Sequence, residues 1–277
     1  MSLKIAYCAG HYIDTPGKRC LKSIDPNETR EWVLNDRVAD YFAKAAQEYE
    51  GVELLRTDDP TGKSFIDIPV RCAKANTWAA DLYIDMHHNA GINGGSGGGA
   101  VVFSYPRSTK GAKYRDAVYK AIIAAGGLKG NRAEPVQEKA LDSLRLSNMP
   151  AILIEYGFMD STTDTPVILT DAHAKLVAYA TMEGVAKVAG LKKKPAAEPA
   201  PTVVKYSLSM RNLEKGCTGE DVKALQILLN GRGYSCGTAD GIFGAKTEEA
   251  VKRYQRDNKL TVDGIAGQVT MRSLMGA

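Results

Sequence analysis

The sequence is short of histidine, with four in 277 residues. It holds five cysteines, an odd number, and none in a paired CxxC spacing. That argues against a zinc finger or a disulfide framework as the organising device. Free thiols in a reducing compartment are expected instead. No apolar run is long enough to span a bilayer, so membrane insertion is not expected. The glycine-rich stretch GINGGSGGG (91–99) lacks the GxxxxGK[ST] spacing, which removes a nucleotide site. Its composition reads as a mobile wall of a cleft. Strong charge of either sign is also missing, the formal net being +4. The small excess is uneven: residues 205–277 carry 11 basic and 8 acidic groups, 191–204 carry 3 and 1, and 1–190 carry 22 and 23. Such an excess suits an anionic partner weakly and does not argue for nucleic acid. The opening MSLKIAYCAG has no basic region followed by a long apolar region and a cleavage site. It reads as a first strand, and synthesis in the cytoplasm is expected.

What is present falls into two parts. LKKKPAAEPAPTVV (191–204) is rich in Lys, Pro and Ala and reads as an extended spacer. It separates a domain over 1–190 from a smaller one over 205–277. In the first, strand-like runs alternate with helical stretches. LKIAYC (3–8), GVELLRT (51–57), DLYIDM (81–86), GAVVFSY (99–105) and AILIEYG (151–157) read as strands. Residues 30–50, 68–80, 115–126 and 171–190 read as helices, with Leu34, Val38, Phe42 and Ala45 on one face of the first. This alternation predicts an α/β fold, an open and mostly parallel twisted sheet covered by helices.

In the second part TADGIFGAKT (238–247) recurs as TVDGIAGQVT (261–270), 23 residues later. Each copy is a glycine turn leading into a short helix. A further helix over 220–230 precedes them, with Thr218 and Asp221 as an expected cap pair. The prediction is a small three-helix domain with an internal repeat, its core built on Val222, Leu225, Leu229, Val251, Tyr254 and Leu274. Cys217 and Cys236 could pair there, although nothing requires it.

The chemistry gathers at strand ends. The first strand runs into His11, DLYIDM runs into His87 and His88, and AILI runs into Glu155. In an open parallel sheet, ligands bind outside the carboxyl ends of the strands. Two imidazoles at one edge suit zinc, which takes nitrogen, sulfur and carboxylate donors. A catalytic zinc needs a third protein ligand, and Glu155, Glu28, Glu31 and Asp14 are all candidates by position. Adjacent strand residues point to opposite faces, so only one of His87 and His88 is expected to reach a metal. Cys8 reads as core, and His173 as a surface or packing residue of the last helix. Arg71 and Asn76 are expected to tie a helix to the sheet.

The ordered set AGH, EWVLNDRVA, LLRTDD, RCAKAN, DMHHNA and MPAILIEYGFMD resembles the zinc-dependent N-acetylmuramoyl-L-alanine amidases of the type 3 family. The resemblance covers essentially the whole first domain. It implies His11, Glu31 and His87 as ligands of Zn2+, and Glu155 as the catalytic glutamate. It leaves the substrate-binding residues and the oligomeric state unknown. There are departures: Tyr12 and Ile13 stand where glycines often follow the first histidine, Asp85 replaces the usual serine, and MDST replaces an expected asparagine. The tail resembles the first peptidoglycan-binding domain family, whose paired D-G-x-x-G-x-x-T turns match the repeat. Together the resemblances imply hydrolysis of the amide between N-acetylmuramic acid and L-alanine, with bacterial peptidoglycan met through both domains. An endolysin released to the wall by a phage holin is the expected setting. The alternatives are a sporulation or autolytic amidase of a mother cell, and a zinc peptidase of the stem peptide.

Overall fold

The structure is a computed structural model that describes residues 2–195 and 211–275. The chain divides into two compact units, Met1–Ala197 and Glu198–Ala277. The first contains strands β1 (Leu3–Ala9), β2 (Val52–Arg56), β3 (Leu82–Asn89), β4 (Val101–Ser104), β5 (Val136–Glu138) and β6 (Ala151–Phe158). Its helices are α1 (Glu31–Ala46), α2 (Ile68–Thr77), α3 (Thr109–Ala124), α4 (Asp142–Arg145), α5 (Thr165–Ile168) and α6 (Asp171–Ala189). The strands form one sheet in the order β2-β1-β3-β6-β4-β5. β2, β1, β3 and β6 are parallel. β4 runs antiparallel to β6 and carries β5 parallel to itself. The expected mostly parallel sheet is therefore present, with a reversed pair of strands at one edge.

The two-residue period of a strand sorts side chains between two helical layers. Ile5, Tyr7 and Ala9 of β1, Leu82, Ile84 and Met86 of β3, and Ile152, Ile154 and Tyr156 of β6 pack with α1, α3 and α6. Ala6, Cys8, Tyr83, Leu153 and Phe158 pack on the opposite face with Ala75 of α2 and Leu144 of α4. Asp85, His87 and Glu155 share the alternation of this second set. Burying both faces explains why the strands read as nearly continuous apolar runs.

Some boundaries differ from the sequence reading. α3 begins at Thr109, six residues early, because Ser108 caps it by accepting from the Gly111 N–H at 3.2 Å. The TKGAK turn has no apolar period and so gives no helical signal. α6 ends on a left-handed glycine, Gly190, at φ 67°. β3 extends through Asn89, with a register shift between His87 and Asn89. The segment 91–99 is tied down rather than free. Asp160 Oδ2 accepts from the N–H groups of Gly91, Ile92 and Asn93 at 2.7–2.9 Å, and Asp164 Oδ2 accepts from Gly99 at 2.7 Å. In the expected linker, the Lys194 N–H donates to Glu48 O at 2.7 Å, and residues 196–204 lie outside the described residues.

The second unit contains α7 (Glu220–Gly231), α8 (Ala245–Asp257) and α9 (Gln268–Met275). All six residues expected in its core are buried, together with Phe243 and Met271. The expected Thr218/Asp221 cap is replaced. The N-cap position of α7 is Gly219, Thr218 pairs through its backbone with Ile242, and Asp221 binds Arg211 at 2.7 Å. Cys217 and Cys236 are free thiols, as are the other three cysteines.

The repeat has a structural cause that the sequence reading missed. Gln226, 1% exposed, donates through Nε2 to Asp240 Oδ1, Ile242 O and Thr247 Oγ1, while its Oε1 accepts from the Gly241 N–H. Gln255 repeats each bond, to Asp263, Ile265 O and Thr270, and from Gly264. Each DG turn is thus closed by one buried carboxamide from a helix. Removing it strands several buried polar groups, each costing about 1–3 kcal/mol. Gln226→Ala is expected to destabilise this unit by about 2–4 kcal/mol. Amide exchange at Gly241 in the full chain checks this, and unchanged protection would contradict it.

Candidate metal centre and catalytic site

The site is built where β1, β3 and β6 end beside one another. Gly10 continues β1 through its N–H bond to Met86 O at 2.9 Å. His11 then turns into the left-handed region at φ 69°, a conformation that costs a non-glycine residue of order 1 kcal/mol or more. Two side chains hold that turn. Arg71 of α2 donates to His11 O at 2.7 Å and to Ala9 O at 3.1 Å, and Asn35 of α1 donates to Gly10 O at 3.1 Å. Arg71 therefore has the tethering role expected of it. Asn76 instead ties α2 to the segment after α4, through Leu146 O and the Asn148 N–H. Position 10 is restricted to glycine, since a Cβ there would lie 2.1 Å from the His87 ring.

Glu31 is the first residue of α1, where an acidic side chain complements the helix dipole. It is 1% exposed. Its Oε1 lies 3.0 Å from His87 Nδ1 and accepts from the His88 N–H at 3.3 Å. Its Oε2 lies 3.3 Å from His11 Nε2 and 3.7 Å from Lys18 Nζ. The rings of His11 and His87 stand perpendicular, with centroids 5.0 Å apart. His11, Glu31 and His87 each offer one ligand atom within 4.8 Å of the others, the one such group found among the described residues. The other candidates lie elsewhere. Glu28 pairs with Arg19 and Lys22, and Asp14 is outside the group.

His88 turns to the other face, as strand alternation requires. Its Nδ1 lies 2.8 Å from Asn35 Oδ1 and its ring packs 5.8 Å from Tyr156. Burial pushes its pKa down to about 3, so the ring is neutral. His173 is buried in the first turn of α6 and is a packing residue rather than a surface one. Glu155 on β6 is in register with His87 on β3, which places the two side chains on one face of the sheet. Its Oε2 is buried without a hydrogen-bond partner among the described residues. Burial is the largest influence on it, and with the Glu31 charge it pushes the carboxyl up to about 7.

The remaining electrostatics favour a cation. Burial opposes a charge on Glu31, but bonds from His11 and His87 outweigh it and hold the carboxyl well below its usual range. Asp85 is also buried, and the His87 charge with bonds from His87, Cys8 and Ser143 keeps it ionised. Against burial, these carboxylates hold His87 protonated well above the ordinary imidazole range. The site thus presents two ionised carboxylates to a centre lined by imidazole nitrogens. Glu31 Oε2 is buried without a satisfactory hydrogen bond. A buried carboxylate oxygen that only ion-pair contacts reach, beside two imidazoles, makes an N,N,O donor set that fits zinc.

Two contacts here go beyond the expectations from sequence. Asp85 Oδ1 lies 3.1 Å from His87 Nε2, and Lys18 overhangs Glu31. The first was readable, since residues two apart on a strand share a face. The second was not, because Lys18 arrives through a loop whose Lys18 O accepts the Glu31 N–H at 3.0 Å. Among the described residues no helix is long and apolar enough to cross a membrane.

Residues 5–187 match the family described as N-acetylmuramoyl-L-alanine amidase, and residues 218–274 match a peptidoglycan binding domain. The chain is 30% identical over 149 residues to the sporulation-specific N-acetylmuramoyl-L-alanine amidase of Bacillus subtilis, covering 53% of this chain and 54% of that one. It is 32% identical over 150 residues to the endolysin of Bacillus phage SPP1, covering 52% and 51%. The chain thus spans about half the length of these curated relatives. The crystal structure of an N-acetylmuramoyl-L-alanine amidase from Clostridium difficile 630 superposes with a TM-score of 0.61 at 24% identity, covering 68% of this chain and 97% of that one. That likeness is one of fold. With the family match running across the whole sheet and through all four site residues, this chain belongs to the N-acetylmuramoyl-L-alanine amidase family.

Proposed function

We propose that the chain hydrolyses the amide between the lactyl group of N-acetylmuramic acid and L-alanine in bacterial peptidoglycan. His11, Glu31 and His87 would hold zinc, with Glu155 as the proton-transferring group. The observation that carries this reading is the gathering of two imidazoles and a buried carboxylate within 4.8 Å, beside a second, half-buried carboxyl on the neighbouring strand. Zinc bound there would polarise the scissile carbonyl and lower the pKa of water from 15.7 to about 7.

The chain's own residues do the rest. Glu155, with its pKa near 7, is suited both to take a proton from the attacking water and to return it to the departing alanine nitrogen. Asn35 and Arg71 hold the turn that presents His11. Neutral His88 locks against Asn35, which keeps the N-terminal turn of α1 on the strand end. The second unit would hold the chain on its insoluble substrate. That role is supported by the match of residues 218–274 to a peptidoglycan binding domain.

Digestion of purified peptidoglycan, followed by labelling of new amino termini, tests the reading. New L-alanine termini are expected. Termini on another stem residue would reassign the chain to the wall peptidases. For the biological setting we carry the lytic reading, in which the chain is made inside the cell and reaches the wall once a holin opens the membrane. The SPP1 endolysin supports it, and the B. subtilis sporulation amidase supports the mother-cell alternative equally. Co-expression with a holin distinguishes them: rapid host lysis is expected of an endolysin.

A further inference from the structure

β3 places Asp85 and His87 on the same face, two residues apart. The Asp85 carboxylate is buried at 4% exposure. Its Oδ1 faces His87 Nε2 at 3.1 Å and accepts from Cys8 Sγ at 2.9 Å. Cys8 is fixed in turn by Tyr83 Oη at 3.1 Å and Arg71 Nη1 at 3.7 Å. The carboxylate therefore cannot swing away from the imidazole without breaking a packed set of contacts. The opposite ring nitrogen, Nδ1, faces Glu31 Oε1 at 3.0 Å.

An imidazole that ligates a metal through one nitrogen carries its proton on the other. Which nitrogen is protonated is set by what that nitrogen meets. A hydroxyl facing that nitrogen could donate or accept and so would dictate neither tautomer. A carboxylate oxygen that already accepts from Cys8 Sγ meets the ring nitrogen as an acceptor. We propose that Asp85 is a positioning residue of the metal centre: it accepts the His87 Nε2–H, fixes Nδ1 as the ligating atom and makes that atom a stronger donor. Asp85 thus acts on metal retention. This inference rests on the reading of His11, Glu31 and His87 as zinc ligands.

Loss of such a carboxylate behind a ligating histidine lowers metal affinity about 10–100-fold. Zinc affinity is measured by chelator competition on the full chain, for the wild type, Asp85→Ala and Asp85→Asn. The expected result is a 10–100-fold weakening in Asp85→Ala and a smaller one in Asp85→Asn, which keeps an acceptor but not the charge. Imidazole nitrogen NMR of the zinc-loaded wild type needs no variant, and the His87 proton is expected on Nε2. A proton on Nδ1 would overturn the proposal. So would unchanged zinc affinity in Asp85→Ala accompanied by a raised KM, since Asp85 would then be a substrate contact. Failure of the wild type to bind zinc at all would instead remove the metal reading on which the proposal stands.

Discussion

Glu155→Gln is expected to bind zinc within about twofold of the wild type and to release L-alanine termini about 10²–10⁴-fold more slowly. The side chain sits on β6 in register with His87, and its Oε2 is buried without a partner. Glutamine reproduces the shape of the protonated acid and cannot take up a proton. Because burial already lifts the carboxyl to about 7, replacing it by a neutral group removes little favourable charge, and the fold should tolerate the change. Zinc nearby would favour the ionised form, so the acid limb of activity is expected at or below pH 7. Steady-state kinetics with zinc content measured on the same samples checks the split. Near-normal turnover would remove Glu155 from the mechanism, and loss of zinc would make it a ligand.

Glu31→Gln is expected to have the larger effect on metal. The carboxylate is the one anionic member of the triad and touches both histidines. Loss of a group behind a ligand costs 10–100-fold in affinity, so loss of a ligand's own charge should exceed 100-fold. The carboxamide would also turn an N–H group toward His11 or His87, adding a donor where a donor cannot bond to a cation. Zinc content after dialysis against chelator should fall to background, with activity below about 1% of wild type. The fold should persist, because Asn35 still joins α1 to Gly10 O. Full zinc retention by this variant would exclude Glu31 as a ligand and reopen the choice among the nearby carboxylates.

The parts legible in the sequence are those that depend on short-range periodicity. Strand alternation separated His87 from His88, and the four parallel strands followed from apolar runs alternating with helices. Position at a strand end brought His11, His87 and Glu155 to one edge. Choosing Glu31 over Glu28 and Asp14 needed the resemblance, because a loop from 12 to 30 decides which acid reaches the site. Contacts made over long separations left no signal. Asp160 and Asp164 pin the 91–99 segment from more than 60 residues away, so glycine content alone suggested a free loop. Gln226 and Gln255 sit 14 and 8 residues before the aspartates that they bind, and that unequal spacing hid the shared design of the repeat. β5, α4 and α5 are three or four residues each, too short to carry a period.

The central claim is that the His11, Glu31 and His87 cluster is the metal centre of an amidase. It is tested most directly by titrating metal-free protein with zinc and counting new L-alanine amino termini released from purified peptidoglycan. The account predicts no release without metal, a linear rise, and a plateau at one zinc per chain. Full release by the metal-free protein, or termini on another residue at every zinc level, would contradict it.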